Sequence, residues 1–269
     1  ENGAQLDKVM KIMLMNIIAV TVIASRKQID ILIAVCALSI GFYGVKGGIF
    51  TVAGGGSGRV WGPVGTFIED NNQLALAVIM TIPLLRYLQL ETKNKWVRRG
   101  LVASMGLSVM SALGSHSRGA LIAMAAMCFF LWLKSPKKAA LAVVLILALP
   151  VAIGFMPDNW HKRMETTTSY EQDQSAMGRI NAWTMAFNLA KDRPLVGGGF
   201  AIYEPNVFAR YAPNPEDLHA AHSIYFQVLG ENGFMGLGLF LLMWIFTWRT
   251  GTWVIRNTRD RPDYQWARN

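Results

Sequence analysis

Apolar runs of about fifteen to twenty residues recur along the chain, separated by short polar stretches in which Lys and Arg cluster. Seven runs, over 9–25, 29–45, 72–90, 100–115, 118–133, 139–155 and 222–248, predict helices that cross a bilayer, whose hydrocarbon core of about 30 Å takes roughly 20 apolar residues. Several stand near the short limit. The expected fold is all-α, a polytopic helical membrane protein with about seven spans. It divides into 1–155 (six helices and short loops), a long segment 156–221 outside the membrane, and 222–269 (the last helix and a tail).

Composition agrees with that pattern. With 52% hydrophobic and 16% charged residues and a mean hydropathy of +0.29, the chain is too apolar for an ordinary soluble domain, which carries about 25% charged residues. The net charge of +9 does not point to nucleic acid, because the basic residues sit between apolar runs rather than on one aromatic-laced stripe. They read as topology signals: Arg26 and Lys27, then Lys93, Lys95, Arg98 and Arg99, then Lys134, Lys137 and Lys138, then Arg249, Arg256, Arg259 and Arg261, with Arg86 and Arg268 beside them. The positive-inside rule makes these connections cytoplasmic. The loop 46–71, the turn 115–118 and the segment 156–221, with six basic and eight acidic residues, then fall on the opposite face. Cys36 and Cys128 lie inside apolar runs, so neither a disulfide nor a zinc site is expected. The chain opens on Glu1 without a signal-peptide pattern, which reads as an internal fragment of a longer membrane protein.

Within 156–221, Ser175 to Arg193 predicts an amphipathic helix. Ile180, Trp183, Phe187 and Ala190 are spaced along one face, and Pro194 and Gly197-Gly198-Gly199 end it. A Pro-rich stretch from Pro205 to Pro215 then leads to His219 and His222 at the last span.

The outward face collects Arg118, Arg179 and His222. Two guanidiniums suit bidentate binding of a phosphate or diphosphate, and a neutral imidazole can take a proton from an attacking hydroxyl. Each has a plain alternative: Arg118 as an interfacial anchor, Arg179 as a solvated loop residue, His222 as a helix-start residue. His116 is a supporting candidate beside Arg118. Glu231, between Gly230 and Asn232-Gly233, reads as part of a helix break whose freed backbone groups the Glu and Asn side chains satisfy. Glu69 and Asp70 suit a metal or acid role but fit a helix-start cluster better, with no third ligand in view. Gly54-Gly55-Gly56, Gly58 and Gly62 lack the context of a phosphate cradle and read as a tight re-entrant loop.

The motifs Ser115-His116-Ser117-Arg118-Gly119-Ala120-Leu121, Gly178-Arg179 with Ala182-Trp183, Pro194-Leu195-Val196-Gly197-Gly198-Gly199-Phe200, His222-Ser223-Ile224-Tyr225 and Glu231-Asn232-Gly233-Phe234-Met235-Gly236 resemble, in order and spacing, the O-antigen ligase and polymerase superfamily. Gly47 to Thr51, Arg59 to Pro63 and Phe67 to Asn72 further resemble the exosortase-associated O-glycosylation ligases. The resemblance implies an all-helical glycosyltransferase of the GT-C type, without metal or cofactor, in the bacterial inner membrane with its active site facing the periplasm. Such an enzyme passes a glycan from undecaprenyl diphosphate to a hydroxyl on a glycan, lipid or protein acceptor. Carried over by motif, Arg118 and Arg179 hold the donor diphosphate and His222 activates the acceptor. Polysaccharide polymerases and protein O-oligosaccharyltransferases of the superfamily share much of the pattern. From other classes, a polysaccharide transporter or flippase and a membrane scaffold remain as alternatives, although intramembrane charge is sparse for a transporter.

Overall fold

A computed structural model of the chain describes residues 2–135, 137–165 and 174–267. Arg268, counted above among the cytoplasmic charges, and residues 166–173 of the long segment lie outside them. The described residues form helices joined by loops, and no strand occurs among them. The helices are α1 (Asn2–Val22), α2 (Arg26–Ala53), α3 (Asn71–Glu91), α4 (Lys95–Gly114), α5 (Arg118–Lys134), α6 (Lys138–Gly154), α7 (Asp158–Glu165), α8 (Gln174–Asp192), α9 (Pro205–Tyr211) and α10 (Ile224–Asn257), followed by a 3-10 turn at Pro262–Ala267. A helix stands at each of the seven apolar runs. Three of them, α2, α3 and α10, are long and apolar enough to cross a membrane, while α5 and α6 are shorter apolar helices.

Local chemistry explains the starts. Ser25 opens α2 with a reciprocal capping box to Gln28. Asp70, Asn94 and Ser117 each accept a backbone N–H from the first turn of α3, α4 and α5, satisfying donors that a helix N-terminus otherwise leaves open. The expected loop 46–71 begins later than the apolar pattern suggests, because α2 continues through Lys46, Gly47 and Gly48 to Ala53. Those glycines serve packing, not a turn.

Two compact units form, one of α2 to α7 and the other of α8 to α10 with α1. In the first, every buried residue of α2 is small: Ala37, Gly41, Gly44, Gly47, Gly48 and Thr51. This face meets α4 so closely that a Cβ on Gly48 would lie 2.1 Å from the Leu107 carbonyl oxygen, one on Gly47 2.3 Å from Ser111 Oγ, and one on Gly114 1.9 Å from Thr51 Oγ1. Lipid tails are as apolar as leucine, so helices in a membrane associate through such close van der Waals contact between small residues. Leu74, Ala75, Val78, Ile79, Ile82 and Leu85 bury one face of α3. At its far end Arg26 pairs with Glu91 at 2.6 Å, and the Tyr87 hydroxyl donates to Asp30.

In the second unit Ala182, Met185 and Leu189 of α8 pack with Ile202, Phe208 and Ala221. The expected stripe of α8 is met in part: Ala190 is fully buried and Trp183 packs against the core, whereas Ile180 and Phe187 are exposed and Ala182, Met185 and Leu189 face inward instead. Gly48→Leu should force α2 and α4 apart and lower stability by about 3 kcal/mol, whereas Gly100→Ala, where a Cβ meets nothing within 4 Å, should be neutral or slightly stabilising. Thermal unfolding of both variants in the same detergent checks this; equal melting temperatures would deny the close seam.

Candidate functional site

The Arg118 motif sits where α4 ends and α5 begins. A helix C-terminus leaves its last carbonyls without partners, and here three consecutive ones are taken by three different segments. Leu113 O accepts from Trp160 Nε1 of α7 at 2.9 Å, Gly114 O from the Val60 backbone N–H at 2.9 Å, and Ser115 O from Asn71 Nδ2 of α3 at 2.7 Å. Ser115 is fully buried; its hydroxyl donates to Ala112 O at 2.6 Å and accepts the Ser117 N–H at 3.2 Å. Ser117 in turn caps Ala120 at 3.2 Å. Arg118, half-buried, is thus the first helical residue of α5 on a turn fastened from all sides.

His116 is buried, and its Nε2 lies 3.0 Å from Gly56 O. A carbonyl only accepts, so Nε2 carries the proton. The glycine loop 54–58 therefore docks on this turn, with Gly55 and Gly56 at positive φ, and a phosphate cradle is not needed to explain it. Glu69 accepts the Gly65 N–H at 2.8 Å and closes the 62–69 loop. Asp70 accepts from Asn72 at the start of α3. Both carboxylates thus have local partners, in line with the helix-start reading.

Arg179 and His222 belong to the other unit. Arg179 lies one turn before Trp183 on α8, so the two share a face. Trp183 donates from Nε1 to Ala221 O at 2.7 Å and stacks on Phe226 with centroids 4.9 Å apart and planes within 5°. It fixes the backbone on either side of His222. Gly178 lets the His219 ring against α8, since a Cβ there would stand 2.5 Å from Nδ1. Asn181 donates to Asn214 O at 2.8 Å and Asp217 O at 3.0 Å and accepts from Asn214 N at 2.9 Å. The Pro-rich stretch is so laid along α8 and delivers His222, exposed, to the start of α10. The Nε of Arg179 is buried and has no hydrogen-bond acceptor among the described residues.

Among the described residues the non-glycine residues with positive φ are His116 (55°) and His222 (45°). Left-handed backbone costs an L-residue about 1–2 kcal/mol, and such strain persists where surrounding contacts overdetermine it. Motif matching found both histidines but not this conformation.

The expected break in α10 exists, but the glutamate does not repair it. It lies at Gly233 (φ 66°, ψ −170°). The carbonyls it frees, Gly230 O and Glu231 O, accept from Gly198 N at 2.8 Å and Gly199 N at 3.0 Å, and the displaced amides of Phe234 and Met235 both donate to Pro194 O. The Glu231 side chain instead accepts from Gln227 at 3.0 Å, and Asn232 Nδ2 reaches back to Val228 O. Backbone repairs backbone because glycine allows the approach: a Cβ on Gly197 would stand 2.5 Å from Gly230 O, and one on Gly233 2.5 Å from Pro194 O.

Trp160, Asn181 and Tyr203, which pattern reading did not single out, and Asn71, which it placed only in a helix-start cluster, brace these turns or pack beside them. The Tyr203 hydroxyl is buried and falls short of a well-formed hydrogen bond. Burial pushes its pKa up, the Ala221 backbone pulls it partly back, and the Glu231 charge adds to the rise.

The class these features define is a helical membrane protein with cationic and imidazole side chains set at tightly braced helix starts. Residues 103–241, just over half of the chain, match the O-antigen ligase family, and residues 1–93 match a family of unknown function, DUF5935. The chain belongs to the O-antigen ligase family. Arg118, Arg179, His222 and the contacting glycine segments 197–199 and 230–233 fall inside that match, which supports a ligase- or polymerase-type membrane enzyme. No curated protein and no solved structure matches the chain.

Gly197→Ala combines a left-handed position with a backbone clash and should cost about 3 kcal/mol. Trp183→Phe keeps the ring stack but orphans a buried carbonyl, costing about 1–2 kcal/mol. Chemical unfolding in micelles reads both; a fully stable Gly197→Ala protein would contradict the close approach of Gly197 to Gly230.

Proposed function

We propose that the protein is a membrane glycosyltransferase that moves a glycan from undecaprenyl diphosphate to an acceptor hydroxyl at the periplasmic face of the inner membrane, without a metal and with inversion. The observation that carries this reading is Arg179: a guanidinium whose Nε is buried without an acceptor suits an anionic ligand, and a diphosphate supplies acceptors in the fork geometry that guanidinium prefers. Arg118, on its braced turn, is the second diphosphate ligand. As the leaving diphosphate gains charge, preplaced cations stabilise it without reorganising. His222, exposed and held by its neighbours, takes the proton from the acceptor hydroxyl as that oxygen attacks the anomeric carbon from the face opposite the leaving group.

The seven apolar helices are assigned as spans in this reading, with the Lys- and Arg-rich connections inside and 156–221 outside. Affiliation with the exosortase-associated group belongs to the same proposal. A polymerase or a protein O-oligosaccharyltransferase uses the same donor chemistry and differs only in the acceptor.

Membranes containing the protein, given a defined undecaprenyl-diphosphate glycan with EDTA present, should form product. His222→Ala should lower turnover by about 100-fold or more, and Arg118→Ala or Arg179→Ala should do likewise, with thermal unfolding unchanged. Near-normal turnover in His222→Ala would remove the proposed base. NMR of the new glycosidic bond should show the inverted anomer; retention would sink the single displacement.

A further inference from the structure

A second concave site lies in the first unit, in the part of the chain that matches the family of unknown function. A pocket of about 410 Å³ opens where the outer half of α2 meets the loop that follows it, lined by Phe42, Tyr43, Lys46, Phe50, Arg59 and Trp61 among others. Two cations thus share a cleft with four aromatic rings. Neither Lys46 nor Arg59 has an acidic partner among the described residues; the Arg59 guanidinium instead lies 5.6 Å from the centroid of the Trp61 ring. The indole is 56% exposed and presents an open apolar surface. The floor is rigid, because Gly47 packs on α4 and Gly62 N–H is bonded to Glu69 O at 2.8 Å.

The pocket is tied mechanically to the Arg118 turn. Between Arg59 and Trp61, Val60 donates its N–H to Gly114 O, and Gly56, a few residues earlier, accepts from His116. The same loop therefore presents the two pocket residues on one side and clasps the catalytic motif on the other.

An aromatic platform stacks the C–H face of a sugar ring, and adjacent unpaired cations select an acid group on it. We propose that this pocket is a glycan subsite that binds an acidic sugar of the substrate, the ring on Trp61 and its carboxylate or phosphate on Arg59 and Lys46. The proposal rests on the glycan-transfer reading and names its substrate class. A phospholipid headgroup offers the phosphate without a ring to stack, so it is the competing occupant that the test must separate.

The full chain in phosphatidylcholine nanodiscs should be titrated with trigalacturonate and with neutral galactotriose, followed by saturation-transfer NMR. The acidic trimer should bind about 10-fold more tightly, and the preference should vanish in the Lys46→Gln/Arg59→Gln double variant. Trp61→Ala, at an exposed position, should weaken both sugars by about 10-fold while leaving the fold intact. Equal affinity for the two trimers, or an acid preference that survives the double variant, would overturn the proposal. So would loss of trigalacturonate binding when phosphatidylglycerol replaces part of the phosphatidylcholine, which would assign the pocket to lipid. Transfer measured in parallel separates the two readings: if Arg179→Ala transfers normally while the binding results hold, the catalytic assignment fails and the subsite stands.

Discussion

A peptide group that leaves its helix in a membrane has no water to turn to, and an unsatisfied one costs several kcal/mol. The architecture of this protein follows from that constraint at two places. At Gly233 the helical ladder of α10 is broken, and the Pro194–Gly199 segment supplies the replacement partners group for group. At the end of α4 the open carbonyls are distributed to Val60, Asn71 and Trp160. Each repair draws a distant stretch of chain against a helix. Arg118 directly follows the second repair, and His222 stands just before the helix that contains the first.

The backbone at two histidines is strained and held. His116 and His222 are held in a backbone region that most residues avoid, and each is flanked by contacts that hold it there: the glycine loop on His116, and Trp183 with Phe226 around His222. Under the proposed function this holds His222 in place before an acceptor binds, so less entropy is lost on binding. Tyr203, buried beside Ala221, belongs to the same packed support.

Much of this was legible in the sequence. The apolar runs found the helices, since only helices satisfy their own backbone in lipid, and the order of short motifs located Arg118, Arg179 and His222. Faces and partners were not legible. Spacing marks a stripe but not its width: on α8 Ala190 and Trp183 of the expected stripe do pack, whereas Ile180 and Phe187 are exposed and Ala182, Met185 and Leu189 complete the core. Glycines read as loop residues at 47 and 48 because a breaker and a close-contact residue look alike in one dimension. The glycine-rich runs at 197–199 and 230–233 were each visible, but their mutual fit depends on φ values and distances that no spacing rule encodes. Glu231 drew attention by its charge, whereas the repair at the break is made by the backbone.

The bonds from Val60 to Gly114 and from Asn71 to Ser115 join the segment that matches the family of unknown function to the segment that matches the ligase family. The border between the two matches is therefore a border in sequence bookkeeping and not in the molecule. A natural chimera that exchanged one segment for that of a distant relative would inherit a turn whose carbonyls point at the wrong donors. An insertion ahead of Val60, or loss of the amide at Asn71, would accordingly leave a carbonyl of the other segment without its donor, so a change in one segment is felt in the other.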